Sequence, residues 1–121
     1  MLTKRDEIKP DITLITLSGR MTLDRSIQEF EAFFRRVVEM GSKKIVLDLS
    51  SVDYMDSSGI GCIVQSSSVA TAAGGALHVA GVHGLVENVL RTTRVITILK
   101  CFMSVELAVA AFQPKSEGTS A

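Results

Sequence analysis

Ile45-Val46-Leu47-Asp48-Leu49-Ser50-Ser51-Val52-Asp53-Tyr54-Met55-Asp56-Ser57-Ser58-Gly59-Ile60-Gly61 begins as a short apolar run and ends on a small-residue stretch that can open a helix. An apolar run without alternation is how a strand covered on both faces reads, so residues 44–49 are predicted as a central strand of a parallel sheet. Residues 50–56 read as a loop. A helix is predicted from Ser57 to about Ala73, with Ile60, Ile63, Val64, Ser67 and Ser68 along one side and Gly74-Gly75 ending it. A central strand feeding a helix through a polar loop is the unit from which α/β folds are built.

Toward the N-terminus, residues 2–8 and 12–18 are predicted as a hairpin. Pro10-Asp11 is turn chemistry, and Ile12-Thr13-Leu14-Ile15-Thr16-Leu17 is β-branched and apolar. From Ile27 the apolar residues Phe30, Phe33, Phe34, Val37 and Val38 recur at three-and-four spacing, giving one apolar stripe on a helix. Ser26 with Glu29 reads as its capping box, and Gly41 as its left-handed stop. Toward the C-terminus follow a strand over residues 76–82, a short helix over 84–91 and a final strand over 96–102. A last helix opens at Ser104 and carries Val105, Leu107, Ala108, Ala111 and Phe112. Strands linked through helices run parallel by right-handed crossovers, whereas the opening hairpin is antiparallel. The expected fold is α/β, a small mixed sheet of about five strands with about four helices mainly on one face. Residues 1–113 form the expected domain and 114–121 a loose tail.

With 121 residues, 13 Lys+Arg against 13 Asp+Glu and a net charge of zero, the chain has no summed field to attract nucleic acid or an anionic membrane. At 46% hydrophobic and 21% charged residues it falls among ordered globular chains. A mean hydropathy of +0.31 is apolar for so small a protein, which implies that part of its surface contacts a protein partner. Met1-Leu2-Thr3-Lys4-Arg5 lacks a secretion signal and no run reaches the roughly 18 apolar residues of a membrane span, so a cytoplasmic protein without membrane insertion is expected. Cys62 and Cys101 form no C-x-x-C pair and read as buried free thiols; His78 and His83 lack metal-ligand spacing, so no metal and no cofactor is expected.

The segment richest in chemistry is Asp53 to Gly61, at the carboxyl end of the central strand, where α/β folds place function. Ser57 falls at the first turn of the predicted helix, where free amides and the positive dipole end would tolerate a phosphate. A phosphoserine there would present close to two negative charges beside Asp56, making Ser57 a candidate switch. Asp56 or Ser57 acting only as a helix cap is the plain alternative.

Residues 45–61, together with Leu17-Ser18-Gly19-Arg20, Gly74-Gly75-Ala76-Leu77 and the closing segment 104–112, resemble the STAS domains, specifically the anti-sigma factor antagonists. The resemblance implies that Ser57 is phosphorylated by a partner that is both anti-sigma factor and serine kinase, and that a serine phosphatase reverses the reaction. It also implies that the unphosphorylated form binds the anti-sigma factor and frees a sigma factor. Asp24, Asp56, Ser58, Gly59 and Ile60 are the partner contacts it implies around Ser57. The chain departs from the family pattern at Gly19-Arg20-Met21-Thr22-Leu23-Asp24, where Arg20 stands in place of an acidic residue, which bears on partner identity.

His78, between Ala76 and Ala80, is expected on a shallow, half-exposed face as a structural histidine, and His83 at a helix start. Arg91 and Arg94 read as solvated charges near a helix end. Met55, Ile60 and Val64 are expected beneath or beside Ser57, with Ile60 divided between core and docking roles. A serine hydrolase is disfavoured because Met55 occupies the position where the nucleophile elbow needs glycine. A dinucleotide site fails because Gly59 and Gly61 are followed by Val64, although weak nucleotide binding and weak homodimerisation stay open. The remaining rivals share the fold: a non-catalytic scaffold of a stress-signalling assembly, or the regulatory subunit of a membrane transporter.

Overall fold

In a computed structural model that describes residues 2–9 and 11–112, the chain runs β1 (Leu2–Lys9), β2 (Ile12–Met21), α1 (Arg25–Glu39), β3 (Lys44–Met55), α2 (Ser57–Ala72), β4 (Ala76–Ala80), α3 (Gly84–Thr92), β5 (Lys100–Phe102) and α4 (Val105–Ala110). The strands form one sheet in the order β1-β2-β3-β4-β5. The β1–β2 pair is antiparallel and every other pair is parallel, so the mixed α/β sheet is as expected. The turn residue Pro10 and the expected tail 114–121 lie outside the described residues.

The main core lies between the sheet and α1, α2 and α3. Ile15, Leu17 and Met21 of β2 and Ile45, Leu47 and Leu49 of β3 point into it, as the alternation of side chains along a strand requires. The stripe on α1 supplies Ile27, Phe30, Phe34 and Val37; burying each of its two phenylalanines contributes about 1.5–3 kcal/mol. The opposite face carries Ile12, Val46 and Ala80, which α4 covers with Ala108 and Val109. Three helices on one face and one on the other therefore enclose the central strands.

Several local expectations give way. The start of α1 is capped by Asp24, whose carboxylate accepts the Ser26 N–H at 2.7 Å, so Ser26 and Glu29 form no capping box: the helix begins two residues earlier than that motif needs. β3 continues through the polar residues 50–55, predicted as a loop, because β2 pairs with it as far as Arg20↔Tyr54 and Met21↔Met55. Irregularities between Thr16 and Ser18 and between Gly19 and Arg20 let β2 follow that curved partner, and Gly19 takes φ +99° in this bulged strand, where a loop was expected. On α2 the buried side is Gly59, Ile60, Cys62, Ile63, Ser66 and Ala70, so the core-facing stripe is turned away from Ser68, which is exposed. The predicted strand 96–102 is only Lys100–Phe102, because Arg94 at φ 63° reverses the chain into a 3₁₀ turn over Val95–Thr97. Leu107 of α4 is exposed, since Ala108 and Val109, with Val105 partly buried, are the apolar residues that this short helix packs on the sheet.

His78 is buried, where a shallow exposed face was expected. α4 lies over it, Phe112 stacks on its ring with centroids 3.7 Å apart, and its Nδ1–H donates to the Ala108 carbonyl at 2.9 Å. Burial holds its pKa below the usual histidine value; the Ala108 carbonyl opposes this and Lys100 reinforces it. His83 stands at the N-cap of α3 and its Nε2 bonds the Ser50 carbonyl at 2.8 Å, tying the β4–α3 loop to β3.

Candidate functional site

The carboxyl ends of β2, β3, β4 and β5 share one edge of the sheet, and α2 leaves that edge at Ser57. Asp56 is its N-cap. One carboxylate oxygen accepts the Ser58 N–H at 2.9 Å and the Gly59 N–H at 3.1 Å; the other accepts the Leu23 N–H at 3.0 Å. The Asp56 N–H donates in turn to the Met21 carbonyl at 3.1 Å. Asp56 therefore joins the β2–α1 loop to the start of α2, and its side chain is committed to structure. Partial burial raises its pKa, but the amides of Leu23, Gly59 and Ser58 outweigh that effect and hold it below the usual carboxylate range.

Ser57, the first residue of α2, is exposed. The amides of Ser58 and Gly59 already serve Asp56, which corrects the expectation that free amides at this helix start face the Ser57 hydroxyl. A phosphate on Ser57 is thus left at the surface, next to a carboxylate. Ser58 and Asp56 are half-buried, whereas Gly59 and Ile60 are buried. The last two cannot offer a docking surface as they stand. A Cβ on Gly59 would lie 2.7 Å from the Met21 carbonyl oxygen, so glycine here lets α2 approach the ends of β2 and β3. Ile60 and Met55 pack in the main core, and Val64 against it.

Asp24 is exposed on the neighbouring loop. Its pKa is lowered chiefly by its hydrogen bond from the Ser26 hydroxyl, then by the Ser26 amide, with Thr22 Oγ1 donating to its other oxygen at 3.2 Å. Leu23, which sequence reasoning missed, is 78% exposed between these two capped aspartates. Its signal was available: an apolar residue just before an N-cap usually packs on the fourth helical residue, which here is the exposed Gln28. Arg20, expected in a loop, is the penultimate residue of strand β2, with its guanidinium 4.6 Å from the centre of the Tyr54 ring.

Elsewhere there is little reactive chemistry. Burial, with a smaller contribution from Glu31, pushes the Cys62 thiol up to about 12, and burial also raises Cys101, which is half-buried. Among the described residues no group of three or more His, Cys, Asp and Glu could hold a metal ion, and no helix is long and apolar enough to cross a membrane. Arg91 pairs with Glu87 at 2.8 Å across one turn of α3, on the solvent side.

The family model described as "STAS domain" matches residues 3–108. The chain belongs to the STAS domain family. Among solved structures this STAS domain resembles a Thermotoga maritima protein described as a candidate anti-sigma factor antagonist, with a TM-score of 0.81 and 24% identity over 90% of this chain and 92% of that one. The Bacillus cell fate determinant SpoIIAA in its phosphorylated form gives a TM-score of 0.70 at 15% identity, covering 93% of this chain and 100% of its own. A sulfate transporter family protein from Wolinella succinogenes gives 0.74 at 16% identity, with 88% of each chain covered. At these identities the likeness of the STAS domain to its neighbours is one of fold.

Proposed function

We propose that this STAS domain is an anti-sigma factor antagonist controlled by phosphorylation of Ser57. In its unphosphorylated form it sequesters a cytoplasmic anti-sigma factor that is also a serine kinase, and a sigma factor is freed. The kinase forms the Ser57 Oγ–P bond with the γ-phosphoryl group of ATP, ADP leaves, and the hydroxyl proton is released. A serine phosphatase returns the hydroxyl by adding water across that bond and releasing inorganic phosphate. The chain itself is the substrate and catalyses nothing.

The observation that supports this reading is the exposed Ser57 at the start of α2, with the adjoining amides already occupied by Asp56. A phosphate there adds about −1.5 to −2 charge at the surface, on a helix start where the Ser58 and Gly59 amides already serve Asp56. That charge acts on a docked partner without refolding the domain. Asp24, Asp56 and Ser58 border the same surface, while Gly59 and Ile60 serve it from beneath by seating α2.

The test is labelling by a cognate kinase with ATP, read by mass spectrometry. One phosphate is expected, lost in Ser57→Ala and kept in Ser58→Ala; equal labelling of both variants refutes the assignment. Ser57→Asp is expected to weaken binding to the kinase by about 2–5 kcal/mol, the cost of an unpaired carboxylate at an interface. Unchanged affinity would favour the second reading, a non-catalytic scaffold or transporter subunit, to which the fold of the Wolinella transporter family protein is also suited.

A further inference from the structure

β1 closes one side of the sheet with 8 residues, whereas β5 closes the other with 3. Among the described residues nothing pairs with the outer side of β1, so every second residue along it turns an N–H and a C=O to solvent. Residues 3–8 join neither apolar cluster: Thr3, Lys4, Arg5 and Glu7 are exposed and Asp6 is half-buried. From Leu2 to Glu7 the pairing with β2 is regular, and the irregularity that would turn an edge away from a partner lies beyond, between Glu7 and Lys9. Charges on a free edge ordinarily keep other chains off. Their order decides which chains they exclude, and Lys4-Arg5-Asp6-Glu7 is two cations followed by two anions.

We propose that the outer edge of β1 is an interface with a second copy of this chain, the two β1 strands pairing antiparallel about a two-fold axis. Such an axis stands normal to the sheet, so only residues on the same face of the strand come opposite one another. With the axis at Arg5, Lys4 of each copy lies opposite Asp6 of the other, and Arg5 lies diagonal to Glu7. With the axis at Asp6, Arg5 lies opposite Glu7, and Lys4 lies diagonal to Asp6. In both registers the two cations of one copy meet the two anions of the other, at Cβ separations of about 4.5–8 Å. Parallel pairing in register sets each charge beside its like, so the charge order also specifies the orientation. Lys4 and Asp6 already meet within the strand, but at 3.8 Å with side chains 74% and 46% exposed, which leaves both open to a second ion. Arg5 and Glu7 form no ion pair among the described residues. The two sheets join into one, and the β3 strands run in opposite directions on either side of the joint. The two Ser57 sites therefore fall at opposite ends of the dimer, and this inference does not depend on the phosphoserine reading. One strand edge covers less than the roughly 800 Å² per partner of a stable interface, so the dimer is weak, with a Kd of about 100 μM.

The experiment is sedimentation equilibrium of the full chain at up to about 1 mM, tenfold above the expected Kd. Two double variants are run alone and mixed in equal amounts: Lys4→Glu with Arg5→Glu, which makes the strand acidic, and Asp6→Lys with Glu7→Lys, which makes it basic. The wild type is expected to dimerise, and to do so several-fold more weakly at roughly 0.5 M salt than at 0.1 M. Each double variant alone should lose association at least about tenfold, and the mixture should regain it as a heterodimer. Circular dichroism establishes that each variant folds; where a double variant does not, Arg5→Glu and Glu7→Arg, alone and mixed, make the same comparison. A wild type that stays monomeric at the highest concentration overturns the proposal. So does a dimer that survives in both variants, which would place the contact elsewhere, or a mixture of folded variants that does not reassociate.

Discussion

Two glycines on α2, separated by a single residue, should respond to the same substitution with opposite signs. In a helix, replacing glycine by alanine stabilises by about 0.5–1 kcal/mol through the lost freedom of the unfolded chain. Gly61 has open space around it, so Gly61→Ala should gain that amount in full. At Gly59 the new Cβ would lie 2.7 Å from the Met21 carbonyl oxygen, 2.7 Å from Met55 Cγ and 2.8 Å from Met21 Cβ. The Met55 side chain can turn aside, but the Met21 carbonyl accepts the Asp56 N–H and is fixed in the β2–β3 ladder. Overpacking of this kind costs about 1–3 kcal/mol, so Gly59→Ala should range from nearly neutral to about 2.5 kcal/mol destabilised. The gap between the two variants is the overpacking cost alone. Urea unfolding followed by far-UV circular dichroism measures it, and for a chain of this size each kcal/mol corresponds to roughly 3–6 °C in melting temperature. If Gly59→Ala proves as stable as Gly61→Ala, α2 is not seated on the ends of β2 and β3 and the geometry around Ser57 is wrong.

Asp56→Ala should cost about 1–2 kcal/mol at neutral pH, the worth of an N-cap whose carboxylate also holds the Leu23 amide. Because the Asp56 pKa is lowered from 3.8, its contribution is fully present above that value and is lost as pH falls through the folded-state pKa. The stability gap between wild type and variant, measured by urea unfolding, should therefore shrink in strong acid; a gap independent of pH would show that the charge on Asp56 contributes nothing. His78 has its pKa lowered from 6.5 by burial, with the Ala108 carbonyl opposing and Lys100 reinforcing. For a histidine depressed in this way stability is present above the unfolded-state value and falls as pH drops below it, since the unfolded chain binds the proton more readily. His78→Phe should lose about 1 kcal/mol at neutral pH with the Ala108 bond, and that deficit should narrow as pH falls below 6.5. Parallel pH profiles for wild type and variant would contradict the buried, stacked placement of His78.

The core of this fold was legible wherever one residue's neighbours in sequence set its environment. The three-and-four spacing from Ile27 to Val37 specified which face of α1 is buried, and the unbroken run at 45–49 marked a strand covered on both sides. The same holds for Ser57 at a helix start, because the small residues after Asp56 are local chemistry. Two of the misreadings share one cause, a partner brought from far along the chain. Residues 50–55 have loop-like side chains, yet β2 supplies their ladder partners from more than thirty positions earlier. His78 has small strand neighbours, yet Phe112, just beyond the end of α4, arrives to cover it. The Ser26–Glu29 capping box failed for a local reason: the carboxylate of Asp24, two residues before Ser26, accepted the helix amide first.

The amino-acid order by itself determined the alternation of strands and helices, the buried face of α1 and the serine that opens α2, since these follow from periodicity and from short-range signals. Only the folded chain decided that Asp56 spends its carboxylate on the amides of Leu23, Ser58 and Gly59. Hydrogen bonds and apolar surfaces that join distant segments depend on strand order and register, and a linear pattern does not encode those quantities residue by residue.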